Sequence, residues 1–208
     1  GELLAHIDTI STVKDLDVLR ALVGDERFNY LGASYGTFYG AWYAELFPWR
    51  VGRMVLDGAI DPSLDASEYA TGQAKGFSGA VQAFVDDCLT RAECPLRGSR
   101  EDAYAQLDRL LARVDADPLP TESRPLTQAL LITGLNQGMY SQQLWPAVTR
   151  ALTEAMSGDG STMLLLADSY MQRDVDGSYD QLLQAFFAIS CLDSGETRTL
   201  KQIEAAAA

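Results

Sequence analysis

Gly32-Ala33-Ser34-Tyr35-Gly36 lies between a short β-prone run, Arg27-Phe-Asn-Tyr-Leu31, and a stretch from Thr37 with helical spacing at Ala41, Tyr43, Ala44, Leu46 and Phe47. A strand that ends in G-x-S-x-G and continues as a helix has few ways to fold. The turn must be tight. The serine must take a strained backbone conformation that lifts its hydroxyl above the sheet. The residues two before and two after it must be small, so that strand and helix can approach. Gly32 and Gly36 meet that demand, and Gly40, one helical turn on, extends it. This context predicts a nucleophile elbow with Ser34 as the nucleophile. The Tyr35 backbone N–H, at the positive end of the following helix, is then a donor for a developing oxyanion.

Pro48 ends that helix, and Arg53-Met-Val-Leu-Asp57 reads as a second strand closed by Gly58 and Asp61-Pro62. Upstream, Val13, Leu16, Leu19 and Val23 give a helix over 12–23, with Ser11 or Thr12 at its start and Gly24 as its stop. Helix, strand, helix, strand is the order of a parallel α/β sheet. After Pro62 the pattern is helical, with segments at 67–89, from Ser99 onward, and around 127–140, 142–157, 161–172 and 178–190. Ser99-Arg-Glu-Asp102 is a capping box with Asp in the place of Glu. Leu164, Leu165, Leu166, Phe186, Phe187 and Trp145 read as core of this helical part.

Composition narrows the function. The chain has 208 residues, 47% hydrophobic and 22% charged, a globular balance. Its net charge of -13 repels phosphate backbones and argues against nucleic acid as a partner. No apolar run approaches the length of a membrane span. One His and three Cys, without a paired Cys-x-x-Cys, argue against structural zinc, and no metal or other cofactor is expected. Asp174-Val-Asp-Gly-Ser-Tyr-Asp180 lacks the terminal Glu of a calcium loop and reads as a polar turn.

Three stretches together carry a family resemblance: Asn29-Tyr-Leu-Gly-Ala-Ser-Tyr-Gly-Thr-Phe-Tyr-Gly40, Tyr43-Ala-Glu-Leu-Phe-Pro48, and Val51-Gly-Arg-Met-Val-Leu-Asp-Gly58 with Asp61-Pro62. They resemble the secreted tripeptidyl aminopeptidase-like α/β-hydrolases of actinobacteria, relatives of prolyl aminopeptidases. Lys14-Asp-Leu-Asp-Val-Leu-Arg20, Met139-Tyr-Ser141, Trp145-Pro146, Ala151-Leu152 and Ala188-Ile-Ser-Cys-Leu-Asp193 extend the likeness over nearly the whole chain. The resemblance implies part of an α/β-hydrolase core with a large all-helical cap insertion: a core segment at 1–62, a helical cap at 63–190, and a return toward the core at 191–208. It implies a serine exopeptidase that releases short peptides, tripeptides by analogy, from free N-termini. An esterase or lipase with the same elbow is the rival reading. A catalytically inert binding or structural module is the reading outside enzymes.

A serine nucleophile needs a base, normally a His oriented by a carboxylate, and in this fold the order is Ser, acid, His. No His follows Ser34, and His6 lies upstream, where a surface role is expected. Asp57, at the end of the second strand, is a minor candidate for the acid; it and Asp61 are otherwise expected in turns. Two apolar strands that read as covered on both faces expect further strands beside them. The chain therefore reads as the middle of a hydrolase, and the missing half, from the same parent or a separate chain, is an expected partner beside the peptide substrate. Gly1 reads as a processed start and Ala205–Ala208 as the start of a further helix. The spacing of Cys88 and Cys94 permits a disulfide, and the secreted family favours it. Cys191 is then left for a partner outside the chain. A secreted or cell-envelope location follows from the same resemblance.

Overall fold

The two β-prone runs form strands β1 (Phe28–Ala33) and β2 (Val51–Asp57) in a computed structural model that describes residues 2–194 together with Thr199 and Gln202. The strands are parallel, with Tyr30 opposite Met54 and Ala33 opposite Asp57. They are the one sheet among the described residues. Side chains alternate across it. Phe28, Tyr30, Gly32, Met54 and Leu56 lie on the more covered face, where helix α2 (Tyr35–Leu46) packs. Leu31 and Val55, opposite each other in the register, are 74% and 58% exposed. The expectation of two covered faces thus holds for one: α2 supplies a cover for its own side of the sheet.

Helix α1 (Thr9–Leu22) packs on α2. It starts earlier than Ser11 or Thr12 because Asp8 is its cap. The Asp8 carboxylate accepts from the Ser11 N–H at 2.8 Å and the Ser11 hydroxyl at 2.7 Å. Gly24, at φ +80°, takes the left-handed turn that ends the helix. One polar network ties the layers together. Asp17 of α1 accepts from Arg20 at 2.9 Å and from the buried Tyr43 of α2 at 3.0 Å, and it pairs with Arg50 just before β2. The Tyr43 ring stacks on Phe28, with centroids 4.1 Å apart.

The chain divides into two compact units, 2–69 with 182–194, and 70–181. Helix α3 (Ala66–Leu89) begins in the first and runs into the second, which continues with α4 (Arg100–Ala116), α5 (Gln128–Met139), α6 (Trp145–Ser157) and α7 (Ser161–Tyr170). The core of the second unit joins Phe84, Val85, Leu107, Leu110, Val114, Leu131, Val148, Leu152 and Met163. Gly134 lets α5 lie against α7; a Cβ there would sit 2.6 Å from the Met163 carbonyl oxygen. Cys88 and Cys94 form a disulfide, with Cα atoms 5.2 Å apart, that closes the C-terminal end of α3. Around Asp174–Asp180 the chain turns at Gly177 and closes with an Arg173–Tyr179 bridge, and Asp176 accepts from Ser178.

Two expectations change. Helix α8 (Leu182–Asp193) belongs to the unit that holds the sheet, although the expected cap ran to residue 190. Leu165, Phe186 and Phe187 are not core. Three successive leucines on one helix cannot share a face, so Leu164 is buried and Leu165 is exposed. Phe186 and Phe187 lie exposed on α8, which has no buried residues. Ala205–Ala208, and most of the expected return at 191–208, lie outside the described residues.

Candidate active site

Ser34 sits between β1 and α2 with φ 52° and ψ -123°. A residue with a Cβ avoids positive φ, so this conformation costs about 1–3 kcal/mol and must be held by its surroundings. Three hydrogen bonds hold it, and a fourth braces Thr37. The Ser34 N–H donates to the Asp57 carbonyl at 2.9 Å, extending the β1–β2 pairing by one residue. The Ser34 carbonyl accepts from the Thr37 N–H at 2.9 Å and from the Thr37 hydroxyl at 2.6 Å. That same hydroxyl accepts from the Ile60 N–H at 2.9 Å, so Thr37 links the elbow to the loop leaving β2.

The glycines fit this geometry in different degrees. A Cβ on Gly32 would lie 2.5 Å from the Gly36 carbonyl oxygen, a backbone atom that cannot step aside. A Cβ on Gly40 would run into Leu56 and come within 3.1 Å of the Tyr30 ring. At Gly36 the nearest neighbour would be the Tyr30 hydroxyl at 3.2 Å. Tyr30 is the side chain packed into this crossing, and its hydroxyl donates to the Gly36 carbonyl at 2.8 Å.

Ser34 is exposed, and its hydroxyl has no hydrogen-bond partner among the described residues. Tyr35 is the first residue of α2, so its N–H is among those with no intrahelical acceptor. An exposed serine hydroxyl and an N–H donor are therefore adjacent at the positive end of a twelve-residue helix. The side chain of Tyr35 turns to another task. Its hydroxyl donates to Asp193, whose carboxylate also accepts from the Thr9 hydroxyl at 2.6 Å and the Thr9 N–H at 2.8 Å. Burial first, and then the Asp193 carboxylate, push the Tyr35 phenol well above its ordinary range, so it stays a donor. Sequence spacing gives no hint of this cluster, which joins residues 184 positions apart.

The other candidates are not drawn to Ser34. His6 is exposed in a short 3-10 helix (Glu2–His6) and makes no hydrogen bond to Ser34. Asp57 meets Ser34 through its backbone carbonyl. Asp61 closes a turn by accepting from the Ser63 N–H and hydroxyl at 2.9 and 2.7 Å. Cys191 is free and exposed on α8. Among the described residues no cluster of His, Cys, Asp and Glu is placed to hold a metal, and no helix is long and apolar enough to cross a membrane.

The chain is similar to known proteins over most of its length. The serine protease Hip1 of Mycobacterium tuberculosis is 41% identical over 198 residues, covering 91% of this chain and 38% of that protein. A protein named carboxylesterase B, also from Mycobacterium tuberculosis, is 39% identical, covering 92% and 37%. A tripeptidyl aminopeptidase of Streptomyces lividans is 31% identical, covering 93% and 36%. The chain thus spans less than two-fifths of the length of the curated relatives it matches. The family model described as alpha/beta hydrolase fold matches residues 5–190. That match covers most of the chain, which therefore belongs to the alpha/beta hydrolase fold family.

Proposed function

We propose that this chain carries the nucleophile of a serine hydrolase that releases short peptides, tripeptides in the leading reading, from free N-termini. The observation that carries the proposal is Ser34 at φ 52°, exposed and unpartnered at the start of α2. In the reaction the Ser34 oxygen attacks the scissile carbonyl and its proton passes to a base. The Tyr35 N–H holds the oxyanion. The tetrahedral adduct collapses, the amine leaves with the proton, and water hydrolyses the acyl-enzyme. Polypeptide outside residues 1–208 supplies the base and its carboxylate in this reading. The exposed His6 and the Asp57 engaged through its backbone favour that supply over one from within. The relatives' greater length is consistent with it. The Cys88–Cys94 disulfide supports a secreted or cell-envelope location, where thiols oxidise.

The relative named carboxylesterase B favours a second reading, an esterase using the same serine. Fluorophosphonate treatment of chain 1–208 and of the full-length gene product, followed by peptide mapping, tests the common step. Modification of Ser34 in the full-length protein, lost in Ser34→Ala, is the expected result. An unmodified Ser34 there would remove the hydrolase reading and leave an inert binding or structural module. Hydrolysis of a tripeptide anilide that stops when its N-terminus is acetylated supports the exopeptidase. Turnover of acyl esters alone would replace it with the esterase.

A further inference from the structure

Asp193 is the last residue of α8 and has no helical reason to be acidic. A carboxylate at a helix C-terminus faces the negative end of the dipole and is disfavoured there. Something else must offset that cost, and three donors converge on it: the Thr9 N–H at 2.8 Å, the Thr9 hydroxyl at 2.6 Å, and the Tyr35 hydroxyl. Thr9 is 1% exposed at the first turn of α1. The carboxylate therefore joins α8, α1 and the first residue of α2.

Tyr35 is the residue after the candidate nucleophile. Its N–H stands at the elbow while its hydroxyl is bound to Asp193, and its ring packs beside Phe38 and Tyr39, with centroids 5.5 and 5.4 Å away. An oxyanion donor is effective in proportion to how well it is held before the charge develops. We propose that Asp193 is a positioning residue for catalysis: through the Tyr35 hydroxyl it fixes the residue whose backbone N–H meets the oxyanion. The assignment rests on the reading of Ser34 as nucleophile. It makes the end of α8, which follows the helical unit in the chain, part of what sets the geometry of the elbow.

Asp193 also receives the N–H of Thr9, so a purely structural role as a second cap for α1 is the alternative. The two roles separate at Tyr35. Tyr35→Phe removes one oxygen, keeps the ring packing and leaves the Asp193–Thr9 bonds intact. In the full-length protein, Tyr35→Phe, Asp193→Asn and the double variant are compared by phosphonate titration of competent sites, by kcat and KM per titrated site on one acyl ester, and by thermal unfolding. Positioning predicts kcat per site about tenfold lower in each single variant with KM within about twofold, and a double variant no slower than the slower single. Site-normalised kcat within twofold of the parent, whatever happens to the unfolding midpoint, would reduce Asp193 to a cap. Independent, multiplying losses in the double variant would also overturn the proposal. If Asp193→Asn does not fold, Tyr35→Phe alone decides. An unlabelled Ser34 in the parent would sink the serine reading itself, and this role with it.

Discussion

Thr37 is fully buried, and its hydroxyl serves two backbone groups at once, the Ser34 carbonyl and the Ile60 N–H. Thr37→Val keeps the shape and removes both bonds. The Ser34 carbonyl retains the Thr37 N–H, but the Ile60 N–H is left without its acceptor. An unsatisfied group of this kind costs about 1–3 kcal/mol. Urea unfolding should show a loss of that size for Thr37→Val and a much smaller one for Thr37→Ser, which keeps the oxygen. Equal losses in the two variants would mean that the methyl, not the hydroxyl, matters. The residues of the elbow itself are legible in sequence because G-x-S-x-G demands small neighbours, and Gly32 shows why against the Gly36 carbonyl. Thr37 is less legible. A threonine three residues after the serine can bond back to its carbonyl, but its second bond, to Ile60, depends on where the loop after β2 passes.

At the level of elements, a helix start is legible where one polar side chain dominates and ambiguous where several compete. Ser99 and Asp102 form both bonds of the expected capping box, at 3.2 and 2.9 Å. At α1, Asp8, Ser11 and Thr12 all suit a cap, and Asp8 takes the role because its carboxylate reaches both donors of Ser11. The joint between α1, α2 and the approach to β2 is centred on Asp17 and gives a prediction with a sign. Burial works against its ionised form. Hydrogen bonds from Arg20 and Tyr43, with the charges of Arg20 and Arg50, outweigh that and hold its carboxyl below the usual value. A carboxyl with a lowered folded pKa gives stability that is complete above its unfolded pKa, near 3.9, and is lost as the pH falls through the folded value. Stability of the chain should therefore fall on acidification from about pH 5 to pH 3. Asp17→Asn should be less stable at pH 6 and lose less over that range. Parallel urea midpoints for the two proteins across the range check this; identical acid slopes would show that Asp17 contributes nothing to them.

For the whole molecule, the change from an α/β segment to an all-helical one after Pro62 was legible from periodicity. The membership of α8 in the unit with the sheet was not, because it rests on contacts such as Asp193 to Thr9 and Tyr35 that no local pattern encodes. The sheet also gives a prediction for this chain in solution. Leu31 and Val55 stand side by side on its open face, at 74% and 58% exposure, while the opposite face packs on α2. Exposed apolar side chains on a two-stranded sheet favour association. The net charge of -13 opposes it by mutual repulsion, which salt weakens: the screening length is about 30 Å at 0.01 M and about 10 Å at 0.1 M. Chain 1–208 should therefore sediment as a smaller species in low salt and associate as salt rises. Leu31→Lys together with Val55→Lys should abolish that rise. Neither side chain is buried, so the unfolding free energy should move by no more than a surface change does, about 0.5 kcal/mol. Sedimentation velocity at two salt concentrations on both proteins gives the answer. Association that persists in the double variant would place the contact elsewhere, and the exposed Phe186 and Phe187 of α8 would be the next residues to change.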